Sequence, residues 1–145
     1  MNILKRVHRS FYALSRKKSS RIVLIAHSLG AVIAYDYLFG FRRYKIHPKI
    51  LVEGFITLGA PIPLFTSAMG FVDNEVRLPA NVKRWLNILD PDDGVGRYTN
   101  RYFKNIPVED VELNTGFTPF SAHSDYWKDK DVSRCIAGKL LSWNI

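Results

Sequence analysis

The chain has 145 residues, 47% of them hydrophobic and 13% aromatic, a balance that suits one packed domain over residues 1–145 and excludes a disordered polar chain. No apolar run approaches the roughly 18 residues of a membrane-spanning helix, no signal-peptide core is visible, and the single cysteine, Cys135, rules out an internal disulfide, so a reducing cytoplasm is the expected compartment. Lys and Arg number 21 against 13 Asp and Glu, and part of the excess is concentrated in residues 1–21, which hold Lys5, Arg6, Arg9, Arg16, Lys17, Lys18 and Arg21 and no acid.

In that first segment Ile3, Leu4, Val7, Phe11 and Leu14 recur at helical spacing, which predicts an amphipathic helix with a basic outer face. Three readings of this face stay open: a solvated surface helix packed on the sheet, a patch that docks the protein peripherally on an anionic membrane through residues 2–18, or a nucleic-acid contact. The last is disfavoured because no aromatic interleaving or recognition motif accompanies the charge. Ile22 to Ala31 follows as an apolar β run that breaks into a small-residue turn with Ser28 at its tip. Behind it Ala31 to Phe39 reads as a helix that starts near Leu29 and ends at Gly40.

His47-Pro48 falls in a loop, and Leu51 to Leu58 reads as a second strand stopped by Gly59-Ala60-Pro61. The stretch Leu64 to Phe71 is of mixed character and fits a connecting helix that covers the sheet. Val82 to Leu89 reads as a third strand whose end carries Asp90, Asp92 and Asp93 in a turn with Pro91 and Gly94. A strand over Pro107 to Leu113 and a C-terminal helix containing Cys135 complete the chain, with Phe120 to Trp127 between them. Strands that alternate with helices place the chain in the α/β class.

Ser28 is the residue on which function turns. A serine ahead of a helix is often an N-cap, but a serine at a sharp strand-to-helix corner is also how a nucleophile is presented. The corner frees the hydroxyl, tolerates only small neighbours such as Ala26 and Gly30, and sets helix N–H groups where negative charge develops. Such a serine needs a base. Of the four histidines, His8 lies on the basic helix, His27 within the turn and His47 ahead of the second strand. His123 follows the acids and belongs with the carboxyl ends of the strands, where ligand chemistry gathers in α/β sheets.

Ala26-His27-Ser28-Leu29-Gly30, Thr57-Leu58-Gly59-Ala60-Pro61 and His123-Ser124-Asp125-Tyr126-Trp127 together resemble the α/β-hydrolase superfamily in its lipase and esterase-like branch, with alanine at the first position of the G-x-S-x-G signature. The resemblance implies a partial α/β-hydrolase fold of about four mostly parallel strands flanked by helices. It implies Ser28 as nucleophile, His123 as general base delivered on a loop before the last helix, and Leu29 N–H as oxyanion donor. The triad acid is implied to be Asp93, since Asp93-Gly94-Val95 matches the pattern acid, small, aliphatic, with Asp90 and then Asp92 as the alternatives. No metal or organic cofactor is implied, and the substrate would be a small-molecule or lipid ester. Phe65, Phe71, Phe117, Phe120 and Trp127 are candidates to line its pocket, each being a candidate core residue as well. Thioester and acyl-transfer chemistry fit the same residues, and the resemblance implies a lid or pocket wall as the other reading of Leu64 to Phe71.

The resemblance spans the whole chain but only the C-terminal half of a usual family member. The nucleophile strand is therefore expected at a sheet edge, where a homodimer could pair it. The early loop that gives the second oxyanion-hole donor is expected to be missing, a loss on the order of 10²–10³ in turnover. The alternative reading is accordingly a weak or inactive hydrolase remnant that serves as a membrane- or protein-interaction module.

Overall fold

Apolar strands separated by helices suit a parallel sheet, because a helix supplies the crossover that parallel neighbours need. The computed structural model, which describes residues 3–16, 21–40, 51–70 and 78–145, has that architecture. The elements run α1 (Ile3–Ser15), β1 (Ile22–His27), α2 (Leu29–Phe39), β2 (Val52–Leu58), α3 (Ile62–Ala68), β3 (Trp85–Leu89), β4 (Val108–Glu112), α4 (Pro119–Ser124), a 3₁₀ turn (Asp125–Trp127) and α5 (Lys130–Ser142). The sheet order is β1-β2-β3-β4, all parallel, with Ala26 beside Thr57, Thr57 beside Asn87 and Asn87 beside Asp110. The protein is an α/β protein with β1 at one edge of this sheet.

β2 and β3 are buried at every position, as expected of parallel strands covered on both faces. On one face Phe55, Trp85 and Val108 pack with Ala31, Tyr35 and Leu38 of α2 and with Phe103. On the other, Ile56, Leu58, Leu86 and Ile88 pack with Tyr126 and with Val132 of α5. Each of these large side chains contributes about 1.5–3 kcal/mol on burial. The polar residues between them are paired. Thr57 Oγ1 takes the Trp85 indole N–H at 3.1 Å and donates to Asn87 Oδ1 at 2.8 Å, and Asn87 Nδ2 donates to Asp110 Oδ1 at 2.9 Å.

Gly40 closes α2 in the left-handed conformation, φ 72°, as its position predicts. The third strand is shorter than the apolar run, because only Trp85–Leu89 joins the ladder while Val82 keeps a single bridge to Val52. Leu64 to Ala68 lies in helix α3, and Phe71, Lys17, Lys18 and His47 lie outside the described residues. α1 packs on α2 and joins the core on that face of the sheet. Its Leu4 and Phe11 are buried, the Phe11 ring 5.0 Å from that of Tyr37, and His8 Nδ1 is 3.1 Å from the Tyr37 hydroxyl. Lys5, Arg6, Arg9 and Arg16 are exposed. No described helix is long and apolar enough to cross a membrane.

Candidate active site

The carboxyl ends of β1, β2 and β3 converge on one hydrogen-bonded line. Ser28, between β1 and α2, has φ 54° and ψ −130°, a positive φ that costs a non-glycine residue on the order of 1–3 kcal/mol. The turn is held by Ser28 N–H on the Leu58 carbonyl at 3.0 Å and by Ala31 N–H on the Ser28 carbonyl at 2.9 Å. Ser28 occupies the N-cap position of α2, yet its side chain caps nothing. Its Oγ lies 2.8 Å from His123 Nε2.

Leu29 opens α2, so its amide is among the N–H groups that the helix leaves without an internal partner. Its side chain is exposed. Ala26 is buried, as a small residue under the turn should be, whereas a Cβ built on Gly30 meets nothing within 4 Å. The expected need for a small residue at position 30 is therefore not visible among the described residues, because this second residue of α2 faces open space.

His123 is not on a loop. It sits in the last turn of α4, a helix started by Pro119 and by a reciprocal capping box between Thr118 and Ser121. Its Nδ1 is 3.0 Å from each oxygen of Asp93. A carboxylate only accepts, so Nδ1 carries the proton, and Nε2 is left with its lone pair toward the Ser28 hydroxyl.

Asp93 is buried in the loop after β3, and its carboxylate also accepts from Val95 N–H at 2.7 Å, from the Tyr126 hydroxyl at 2.9 Å and from Gly96 N–H. Burial alone would raise its pKa. The hydrogen bonds from His123, Val95, Gly96 and Tyr126 outweigh burial and hold the carboxyl below the ordinary aspartate range. Gly59 and Gly96 make the space, since a Cβ on either would come within 3.0 Å of Asp93 Oδ2.

Asp90, the alternative acid, points elsewhere. Its Oδ1 accepts Asp92 N–H at 2.8 Å, and its Oδ2 accepts the Thr115 N–H at 2.6 Å and lies 3.0 Å from the Thr115 hydroxyl, whose one proton it shares with the Ala122 carbonyl. It is a turn residue that staples the loop before α4, and Asp92 is exposed. Of the residues named from sequence, the structure thus joins Ser28, His123 and Asp93 and leaves Asp90 aside.

Two residues that the sequence reading passed over belong to the site. Tyr126, three residues after His123, donates to Asp93 and accepts Asp90 N–H at 2.8 Å. Burial raises its pKa, so the hydroxyl stays protonated as a donor. His27 Nε2 is 2.8 Å from the His123 carbonyl oxygen. The i, i+3 spacing of His123 and Tyr126 was the only advance signal for the tyrosine. Tyr126→Phe is expected to cost about 1–3 kcal/mol by leaving Asp90 N–H and part of the Asp93 carboxylate unpaired. It should also raise the Asp93 pKa, which a denaturant titration across acid pH and NMR titration of the carboxyl would read.

The aromatic residues offered as pocket lining divide in an unexpected way. Phe65, Phe117, Phe120 and Trp127 are exposed rather than core, Phe120 by 83%. Phe120 lies three residues before His123 on α4, and the Trp127 ring stands 6.4 Å from that of His27. Among the described residues no three His, Cys, Asp or Glu side chains converge as metal ligands. No family model, curated protein or solved structure matches this chain, so a functional reading rests on the geometry.

Proposed function

We propose that the chain is a serine hydrolase that cleaves carboxylic esters through an acyl-enzyme on Ser28. The observation that carries the reading is the continuous line Ser28 Oγ, His123 Nε2, His123 Nδ1, Asp93, with steps of 2.8 and 3.0 Å. It is supported by the strained turn at Ser28, which leaves the hydroxyl free of any capping role.

In this mechanism His123 Nε2 takes the hydroxyl proton as Ser28 Oγ attacks the ester carbonyl carbon. The carbonyl oxygen becomes an oxyanion facing the Leu29 N–H and the positive end of α2. The resulting imidazolium is stabilised by Asp93, which stays ionised. His123 then returns the proton to the departing alkoxide, and the acyl group remains on Ser28. Water, deprotonated by the same imidazole, attacks the acyl carbon; the bond from that carbon to Ser28 Oγ breaks, His123 gives its proton to Ser28 Oγ, and the acid is released. The exposed aromatic side chains of Phe117, Phe120 and Trp127 favour an ester with an apolar acyl group.

A fluorophosphonate tests this directly. Peptide mass spectrometry is expected to find the phosphonyl adduct on Ser28 in the wild-type chain and none in His123→Ala. A folded wild-type chain that takes no label would overturn the reading and support a non-catalytic interaction module.

A further inference from the structure

The base in this site is carried by a short helix that needs outside anchorage. α4 has six residues, and its last carbonyls have no partner within the helix. Two neighbouring carbonyls are met by other segments: Ala122 O by the Thr115 hydroxyl at 2.7 Å, and His123 O by His27 Nε2 at 2.8 Å. The first contact comes from the loop before α4. The second comes from the residue covalently joined to Ser28.

We propose that His27 is a positioning residue, which holds the general base in line with the nucleophile by donating Nε2–H to the main-chain carbonyl of His123. The inference rests on the hydrolase reading for its kinetic consequence. Asp93 fixes which way the His123 ring is turned, but it says nothing about how far the backbone of α4 stands from the β1–α2 corner. His27 sets that distance with one hydrogen bond and one peptide link.

Strand alternation brings this about. Ala26 faces the core shared with α2, so the next residue turns to the opposite face, where the His27 ring lies 5.0 Å from His123, 5.6 Å from Tyr126 and 6.4 Å from Trp127. Those rings limit its rotation. A carbonyl accepts only, so Nε2 carries the proton.

The test compares His27→Gln, whose amide can place a donor near Nε2, with His27→Phe, which keeps the ring and loses the donor. His27→Leu supplies the donor-free comparison if the phenylalanine chain does not fold. With melting curves as the fold control, the rate of phosphonylation at saturating fluorophosphonate is expected to fall about tenfold or more in the donor-free chain, with half-saturation unchanged. Glutamine is expected to restore it to within about threefold of wild type, an outcome that a purely space-filling histidine would not give.

Equal rates in His27→Phe and wild type, or a glutamine variant as slow as the phenylalanine one, would overturn the proposal. A second readout does not need activity. The low-field NMR signal of the His123 Nδ1 proton on Asp93 is expected in wild type and His27→Gln and broadened by solvent exchange in His27→Phe. If wild type takes no label, the hydrolase reading fails by itself, and an undisturbed signal in His27→Phe would sink the positioning role as well.

Discussion

Asp93→Asn is expected to slow phosphonylation of Ser28 by about four orders of magnitude while the chain stays folded. The amide at position 93 can donate to Nδ1, which selects the wrong tautomer of His123: the proton moves to Nε2, and the atom 2.8 Å from Ser28 Oγ can no longer accept. Asp90→Asn should behave in the opposite way. Its carboxylate is committed to Thr115 and Asp92, so the substitution removes part of a buried acceptor set and costs about 1–3 kcal/mol of stability. Labelling of Ser28 in that variant should stay within a few-fold of wild type at temperatures where it is folded. Time courses of labelling with melting curves for both variants decide between the acids; loss of labelling in Asp90→Asn alone would transfer the role.

The same pair has a signature in acid. The Asp93 carboxyl is held below the ordinary aspartate range in the folded chain. Its contribution to stability is therefore complete above that range and is lost as pH falls through the depressed native value. Asp93→Asn should flatten the acid limb of a stability-against-pH curve in that interval and leave the neutral region parallel to wild type. Denaturant midpoints over a pH series measure this.

Gly59→Ala should be among the most damaging single substitutions in the chain. Gly59 has φ 51°, and a Cβ there would lie 2.6 Å from Tyr126 Cε2 and 2.8 Å from Asp93 Oδ2. Positive φ costs an alanine about 1–2 kcal/mol, and forcing atoms into a packed site costs a further 1–3 or so. The expected loss is thus about 2–5 kcal/mol in a denaturant titration. Labelling of Ser28 should fall as well, because the displaced groups are the acid of the line and the tyrosine that supports it. Gly40→Ala is the matched control. Its φ of 72° is equally unsuited to alanine, but none of the described residues stands within 4 Å, so about 1–2 kcal/mol and unchanged labelling are expected.

The functional pattern around Gly59 explains why some of the site is legible in the residues and some is not. Thr57 to Pro61 reads in sequence as a turn that stops a strand, and it is one. That the turn glycine also forms the floor under Asp93 depends on β2 and β3 lying side by side, with Gly59 N–H on the Ile88 carbonyl at 3.0 Å. Similarly, a proline after Thr118 and a serine three residues on were sufficient to start α4 around His123. That capping box is local, so the helix around His123 is legible in the residues themselves.

What the amino-acid order determined by itself is the alternation of strands and helices, the α/β class and the sharp corner at Ser28, because these follow from periodicity, β-branched runs and turn residues within a few positions of one another. The resemblance already pointed to Asp93, but only tertiary structure separated it from Asp90 physically, turned Thr115 toward Asp90, and brought His27 and Tyr126 into the site. Those choices are made by side chains 25 to 96 positions apart in the chain. A carboxylate among three in one turn is fixed in its role by which donors and which open space the folded sheet sets around it.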